Sequence, residues 1–302
     1  MPDPLRIAVA TCAELPEPDP DEVLLLAALE GRGHEPELIA WDLPVEECGV
    51  RRSAGRAVAL ERFDLCVIRS TWNYFEEPER FRAWLREVAG RTALWNPLET
   101  CLGNIDKRYL LRLEDRGVPI VPTWFIERGE PFDLRRRWGE VDWDAIVVKP
   151  VISAGSFETH RFERGALEDA VGFLGERRDE RAWMVQRYEA KVETVGECAI
   201  VCIGGQVSHA VRKTPRFSGD DEKVSAAFRP NEPGRSLAAA VLAGVGPTLY
   251  ARVDVIEDAQ GMMRLAELEL LEPSLFFLQS PPGLEAFLDA LEARAEEARA
   301  TR

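Results

Sequence analysis

Within the first hundred residues, short apolar runs alternate with amphipathic stretches, and this constrains the fold more than any other feature of the chain. Arg6–Thr11 (RIAVAT) reads as a buried strand, Glu37–Trp41 as a second and Asp64–Ser70 (DLCVIRS) as a third. Asp21–Arg32 (DEVLLLAALEGR) reads as a helix whose opening acids suit the positive end of its dipole. Pro78–Ala89 predicts another helix and Ala93–Asn96 a fourth strand; a moderately periodic helix is expected between residues 43 and 62. Strand and helix in alternation predict a parallel α/β sheet.

A different pattern begins near Asn104. The spacing predicts a helix over Asp106–Arg116, stopped by Gly117, and then strands over Ile120–Ile126, Ala145–Lys149 and Glu158–Phe162. A helix over Gly165–Gly175 and a strand over Trp183–Tyr188 follow. Glu197–Gly204 and Gln206–Arg212 form a hairpin pattern about Gly204-Gly205. Residues 214–234 are polar and rich in turn residues, which predicts a long functional or mobile loop. Last come a helix over Arg235–Gly244, strands over Leu249–Ile256 and Met263–Leu271, and a closing helix over Leu284–Ala300. The fold class is therefore α/β, becoming α+β in the C-terminal two-thirds, with domains expected at 1–103, 104–188 and 189–302.

The paired strands near the end carry acids: Asp254 on the first, Glu267 and Glu269 on the second. Side chains two apart on a strand point the same way, so the two glutamates share a face. Crowded carboxylates repel unless a cation neutralises them, and oxygen clusters suit Mg²⁺. The plainer reading is a solvated sheet face; on the metal-site reading the neighbouring acids Glu257, Asp258 and Glu272 are bystanders. Upstream, Lys149 ends the run AIVVKP just before a small-residue loop, Ser153–Ser156, and Lys107 opens a helix. A lysine at a strand end, followed by small residues, suits phosphate, although neither GxxxxGK[ST] nor GxGxxG is present. Edge backbone groups at Gln186–Tyr188 could bond a flat heterocycle, and an acid just beyond could hold a ribose. Arg212 and Lys213 alternate at a strand end, so only one of them should face a site there. Arg69-Ser70-Thr71-Trp72 follows the carboxyl end of a parallel strand, where α/β ligand sites lie. Arg69 could grip a carboxylate bidentately; alternatively it pairs with a structural acid while Trp72 and Tyr74 pack beneath the loop.

Composition removes several other classes. A net charge of −15 argues against general nucleic-acid or anionic-membrane binding. No apolar run approaches the ~20 residues of a membrane span, and MPDPLRIAVAT lacks the pattern of a signal peptide. Six scattered cysteines without a CxxC pair predict reduced, buried thiols, and cytoplasm is the default compartment. Three histidines make a multi-histidine metal site improbable.

Lys107, VVKPVISAGS, VQRYE, the hairpin ending HAVRK and VD…ELE, in this order over the whole chain, resemble an ATP-grasp enzyme. The similarity is to the glutathione-synthetase-like and ribosomal-protein-glutamate-ligase-like branch; within it, IRSTWNY, VKPVISAGS, GGQVSHAVRK and YARVD…ELELLEPSLFF resemble the ligases that close the ring in cycloserine biosynthesis. The resemblance implies a pre-ATP-grasp domain before an ATP-grasp fold of two α+β lobes. It implies that Lys107 and Lys149 bind nucleotide phosphates, that Ser153, Gly155 and Ser156 fold over them, and that Gln186, Arg187 and Tyr188 hold adenine. Glu189 or Glu193 would take the ribose. Asp254, Glu267 and Glu269 would bind metal, Glu269 standing where the family has Asn. Two Mg²⁺ ions are implied, with Mn²⁺ as an alternative. Arg252, Lys213 and Arg212 would meet the transferred phosphate, and Arg69, Ser70, Thr71 and Trp72 the substrate. The activity implied is ATP-dependent carboxylate–amine ligation through an acyl phosphate, on a small amino-acid or peptide-like substrate. A non-ligating ATP-binding regulator and a small-molecule kinase of the same fold stay open, as does a homodimer. In the segment 214–234, DDEKVSAAFRP departs from the short basic or aromatic sequence found in relatives.

Overall fold

A computed structural model of the chain describes residues 3–43, 59–214 and 223–301. The first part runs β1 (Arg6–Thr11), α1 (Pro20–Gly31), β2 (Glu35–Ala40), β3 (Leu65–Ser70), α2 (Pro78–Arg91) and β4 (Ala93–Trp95). Its strands form a parallel sheet in the order β2-β1-β3-β4. Alternate residues of β1 enter different cores. Ile7 and Val9 pack with Leu25 and Leu29 of α1, whereas Ala8 and Ala10 pack with Phe81, Trp84 and Leu85 of α2. Burial on both faces explains the near-continuous apolar runs. Asp19 caps α1, its carboxylate accepting from Asp21 N at 2.9 Å.

Two short helices, α3 (Leu98–Asn104) and α4 (Tyr109–Glu114), lead into the second part. It contains β5 (Thr123–Ile126), α5 (Leu134–Gly139), β6 (Ala145–Pro150), β7 (His160–Glu163), α6 (Leu167–Arg177) and β8 (Trp183–Arg187). The sheet is antiparallel, ordered β5-β8-β6-β7. Ile146, Val148 and Val185 bury one face of it against Trp138, Ala170 and Leu174 of the two helices.

The third part comprises α7 (Val192–Val195), β9 (Glu197–Ile203), β10 (Gln206–Lys213), α8 (Glu232–Leu242), β11 (Tyr250–Glu257), β12 (Met263–Glu269) and α9 (Pro281–Thr301). Its antiparallel sheet is ordered β10-β9-β11-β12. Leu237 and Val241 of α8 cover one face. On the other, Ala199 and Val201 join Phe287, Leu288 and Leu291 of α9 in the core that also holds Ile7 and Val9 of β1. The first and third sheets thus share a core.

Some expected boundaries move, for local reasons. The helix expected from Asp106 begins only at Tyr109. Lys107 N is drawn out to Val151 O at 3.0 Å, and the Asp106 carboxylate accepts from Arg108 N at 2.9 Å. The strand expected from Ile120 begins at Thr123, because Ile120 bridges to Leu265 in the third part. Helix α8 starts at Glu232, inside the expected loop 214–234, since the Asn231 side chain caps it by accepting from Gly234 N. Val224 and Phe228 of that segment bridge to Lys213 and Ala210 along the outer edge of β10. Most of the helix expected between 43 and 62 lies outside the described residues; Leu60–Arg62 is a single 3₁₀ turn. Five cysteines, Cys12, Cys66, Cys101, Cys198 and Cys202, are buried free thiols, as expected. Among the described residues, no helix is long and apolar enough to cross a membrane.

Candidate active site

Strands β11 and β12 pair so that Arg252 lies opposite Glu269 and Asp254 opposite Glu267. Between them Val253 and Leu268 point into the core beneath α8. Alternation therefore gives this hairpin one apolar face and one carrying four charges.

Cations from three directions meet those acids. Lys107, just before α4, and Lys149, near the end of β6, approach Glu267 to 3.2 and 3.1 Å. Lys213, the last residue of β10, lies 2.9 Å from Asp254 and 2.6 Å from Glu197. Arg252 donates from Nε to Asp254 Oδ1 at 2.9 Å and from Nη2 to Oδ2 at 3.0 Å, and also pairs with Glu269. Burial opposes the charge on Glu267, but Lys107 and Lys149 outweigh it and hold that carboxyl well below the usual range. Burial likewise opposes the charge on Asp254, yet Arg252 and Lys213 keep it low. Glu269 is pushed up to about 7 by burial and by its acidic neighbours, despite Arg252.

Two acids of this cluster were not singled out from the sequence. Glu197 faces Lys213 directly across the β9–β10 hairpin, a pairing that the hairpin pattern contains. Glu272, expected to be a bystander, is buried, and burial followed by repulsion from Glu269 raises it to about 8. Glu257 and Asp258 are engaged away from the cluster: Glu257 pairs with Lys191, and Asp258 ties its own turn and Arg264 together.

Other predicted residues fall differently. Arg212 is turned away from the acids, donating to Val195 O at 3.2 Å with its guanidinium over Phe228; Lys213 alone of the pair faces them. The edge role of Gln186–Tyr188 is corrected by the sheet order, since β8 lies between β5 and β6. Arg187 N already donates to Pro122 O and Tyr188 N to Ala145 O, while the Gln186 side chain bonds Thr123 Oγ1. Glu189 is buried against Arg187, whose Nε donates at 2.6 Å. Glu193 is exposed, and accepts from the Tyr188 hydroxyl at 2.8 Å and from Arg161, which stacks on the Tyr188 ring.

The loop after β6 is placed at the cluster. Lys107 Nζ donates to Ser153 O at 2.5 Å, and the Phe157 ring lies 4.5 Å from that of Phe75. Gly155 and Ser156 both take positive φ, 57° and 61°, a conformation that costs glycine little and serine more. Both are exposed.

Arg69 does not open to a substrate. It is 1% exposed, donates to Pro273 O at 2.7 Å, lies 3.9 Å from Asp21 and covers the Tyr250 ring. The alternative of a structural acid partner is the one realised. Ser70 bonds Thr11 and Glu22, Thr71 is buried, and Trp72 Nε1 donates to Glu272 O at 3.1 Å.

Mg²⁺ wants hard oxygen ligands, and Asp254 and Glu267 supply carboxylates directly opposite each other. Their donor chemistry fits. The expected convergence of all three acids does not hold, because Glu269 is turned onto Arg252; among the described residues no three potential ligands are grouped to hold a metal ion.

A parallel α/β domain followed by two antiparallel lobes, with lysines brought against strand-borne acids, defines the ATP-grasp ligase class. Residues 7–96 match the family model for the N-terminal domain of D-cycloserine synthetase DcsG. The cycloserine biosynthesis protein DcsG of Streptomyces lavendulae is 30% identical over 250 residues, 77% of this chain and 84% of that protein. The crystal structure of D-cycloserine synthetase DcsG superposes with a TM-score of 0.83 at 28% identity, covering 96% of this chain and 99% of the other. A RimK-domain ATP-grasp protein from Sphaerobacter thermophilus gives 0.66 at 20% identity, over 93% and 96%. The chain belongs to the DcsG family of ATP-grasp ligases.

Proposed function

We propose that the chain joins a small amino-acid or peptide-like carboxylate to an amine or related nucleophile, using Mg²⁺ and ATP, in specialised metabolism. The observation that carries this is the meeting of Lys107 and Lys149 on Glu267, which puts phosphate-binding cations and a hard-oxygen ligand within one hydrogen-bond length. Residues 104–188 and 189–302 would be the lobes that close on the nucleotide. Lys107, Lys149 and Lys213 would hold phosphate oxygens, and Arg252 the transferred group. Ser153, Gly155 and Ser156 would cover the phosphates. Because the Arg187 and Tyr188 N–H groups are already engaged within the sheet, adenine would meet Gln186–Tyr188 through side chains at the end of β8, with Glu193, the exposed acid, on the ribose in preference to Glu189. Mg²⁺, as one ion or two, or Mn²⁺ in its place, would be held by Asp254 and Glu267 and, once it leaves Arg252, by Glu269, and would neutralise phosphate charge.

In the reaction, a substrate carboxylate oxygen attacks the γ-phosphorus as the bond to the β–γ bridging oxygen breaks and ADP leaves. The nucleophile then attacks the acyl carbon and phosphate departs. The cations stabilise charge that grows on the equatorial oxygens, and the lobes keep water out. Trp72 and the segment from Glu272 would border the acyl group.

The test is a panel of amino acids and amines supplied with Mg²⁺–ATP and read by mass spectrometry. A product one water lighter than acid plus nucleophile, formed with ADP and phosphate, is expected. A phosphorylated substrate would make the protein a kinase, and ATP binding without turnover across the panel would make it a regulator.

A further inference from the structure

Asp21, in the first turn of α1, is 2% exposed. Its carboxylate accepts three consecutive main-chain N–H groups from the segment after β12: Leu275 at 2.6 Å and Phe276 at 2.9 Å on Oδ2, and Phe277 at 2.8 Å on Oδ1. Phe276 takes φ +55°, in the left-handed region, and its neighbours' N–H groups turn to the same carboxylate. Arg69 of β3 takes the carbonyl of Pro273 in the same segment at 2.7 Å. The parallel domain therefore grips Pro273–Phe277 by both polarities of its backbone. The other side of that segment borders the acid cluster. Ser274 O lies 3.4 Å from Arg252 Nη1, the Phe276 ring lies 5.8 Å from the Arg252 guanidinium, and Glu272 is next to Pro273.

We propose that Asp21 and Arg69 are positioning residues: through Pro273–Phe277 they set where Arg252 stands, so that the N-terminal domain tunes affinity for the terminal phosphate. Neither touches the reacting atoms. The inference rests on reading the cluster as a Mg²⁺–ATP site. Asp21→Asn would face an amide NH₂ towards backbone donors and lose at least one acceptor, whereas Arg69→Lys keeps the charge but loses the planar guanidinium fork.

The experiment is calorimetric titration of the full chain with Mg²⁺ and the imido analogue of ATP, alongside thermal unfolding. Asp21→Asn is expected to weaken binding about tenfold, as for losses of outer-shell support, with Arg69→Lys weakened less. Arg32→Ala, which breaks the contacts of α1 with Glu285, Asp289 and Glu292 of α9, serves as the control. It should lower the melting temperature and leave affinity within about twofold. Asp21→Asn that melts earlier yet binds within about twofold of wild type overturns the proposal, and if that variant does not fold, Arg69→Lys decides by the same criterion. Wild type that does not bind the analogue overturns the Mg²⁺–ATP reading, and this inference with it; a binding wild type beside an unaffected variant overturns the positioning alone.

Discussion

Glu267 is the residue on which both upstream lysines converge, so its carboxylate ties Lys107 and Lys149 to the charged hairpin. Glu267→Gln keeps the shape and removes the charge. Turnover should fall by about 100-fold or more, as when a preorganised electrostatic group is lost, with far-UV circular dichroism unchanged; wild-type rates would remove the metal assignment. Lys149→Ala should act chiefly on nucleotide binding, raising the Kd for Mg²⁺–ATP while leaving the hairpin intact. Glu272 yields a prediction about pH. Its ordinary value of 4.5 is raised to about 8 by burial. Between those values the folded protein keeps a proton that the unfolded chain has released, so stability falls as pH rises through that window. One such proton contributes a slope of at most about 1.4 kcal/mol per pH unit. In metal-free buffer the wild-type melting temperature should fall from about pH 5 to about pH 8, and Glu272→Gln should flatten the fall. Parallel curves would show that Glu272 is ionised in the fold.

At the scale of elements, the charged hairpin is held in place by two asparagines that precede and end α3. Asn96 Nδ2 donates to Tyr250 O and to Leu270 O, both at 2.8 Å, and its Oδ1 accepts from Leu249 N at 2.7 Å. Asn104 Nδ2 donates to Leu268 O at 2.8 Å and its Oδ1 accepts from Leu270 N at 2.7 Å. These buried amides satisfy main-chain groups where β12 leaves the sheet. Asn104→Ala orphans a buried carbonyl and a buried N–H, and should cost about 1–3 kcal/mol in urea unfolding; a loss below about 0.5 kcal/mol would show that water replaces the amide. Neither asparagine stands out in the sequence, because a clamp between elements some 150 residues apart leaves no periodic mark. The strands themselves were legible: RIAVAT, DLCVIRS and AIVVKP declare themselves by apolar continuity. What local pattern could not supply was order across a sheet. Placing β8 between two neighbours closed the edge that Gln186–Tyr188 was expected to offer. Arg212 and Lys213 show the converse, since alternation alone predicts that only one of them meets the acids.

At the scale of the molecule, the first and third sheets share a core in which Ile7, Val9 and Leu25 meet Ala199, Val201, Phe277 and Phe287. Such continuity makes independent unfolding of the N-terminal domain costly. Hydrogen exchange followed peptide by peptide at rising denaturant should therefore report coincident unfolding of these two parts; a separate early transition confined to the N-terminal domain would contradict the shared core. The same packing brought Arg69 inside. Its position at a strand's carboxyl end was legible as a ligand-site signal, but the closure of Pro273–Phe277 over it depends on residues about 200 positions away. Glu272 was passed over for a related reason: it lies beyond the alternating pattern of β12, where burial is set by Trp72 and the returning chain.

A crystal structure with Mn²⁺ and the imido analogue of ATP would show whether Asp254 and Glu267 bind the metal of a nucleotide held by Lys107 and Lys149. An anomalous Mn²⁺ peak is expected between the two carboxylates, with phosphate oxygens on both lysines. A peak elsewhere, or nucleotide bound away from Lys107 and Lys149, would contradict it.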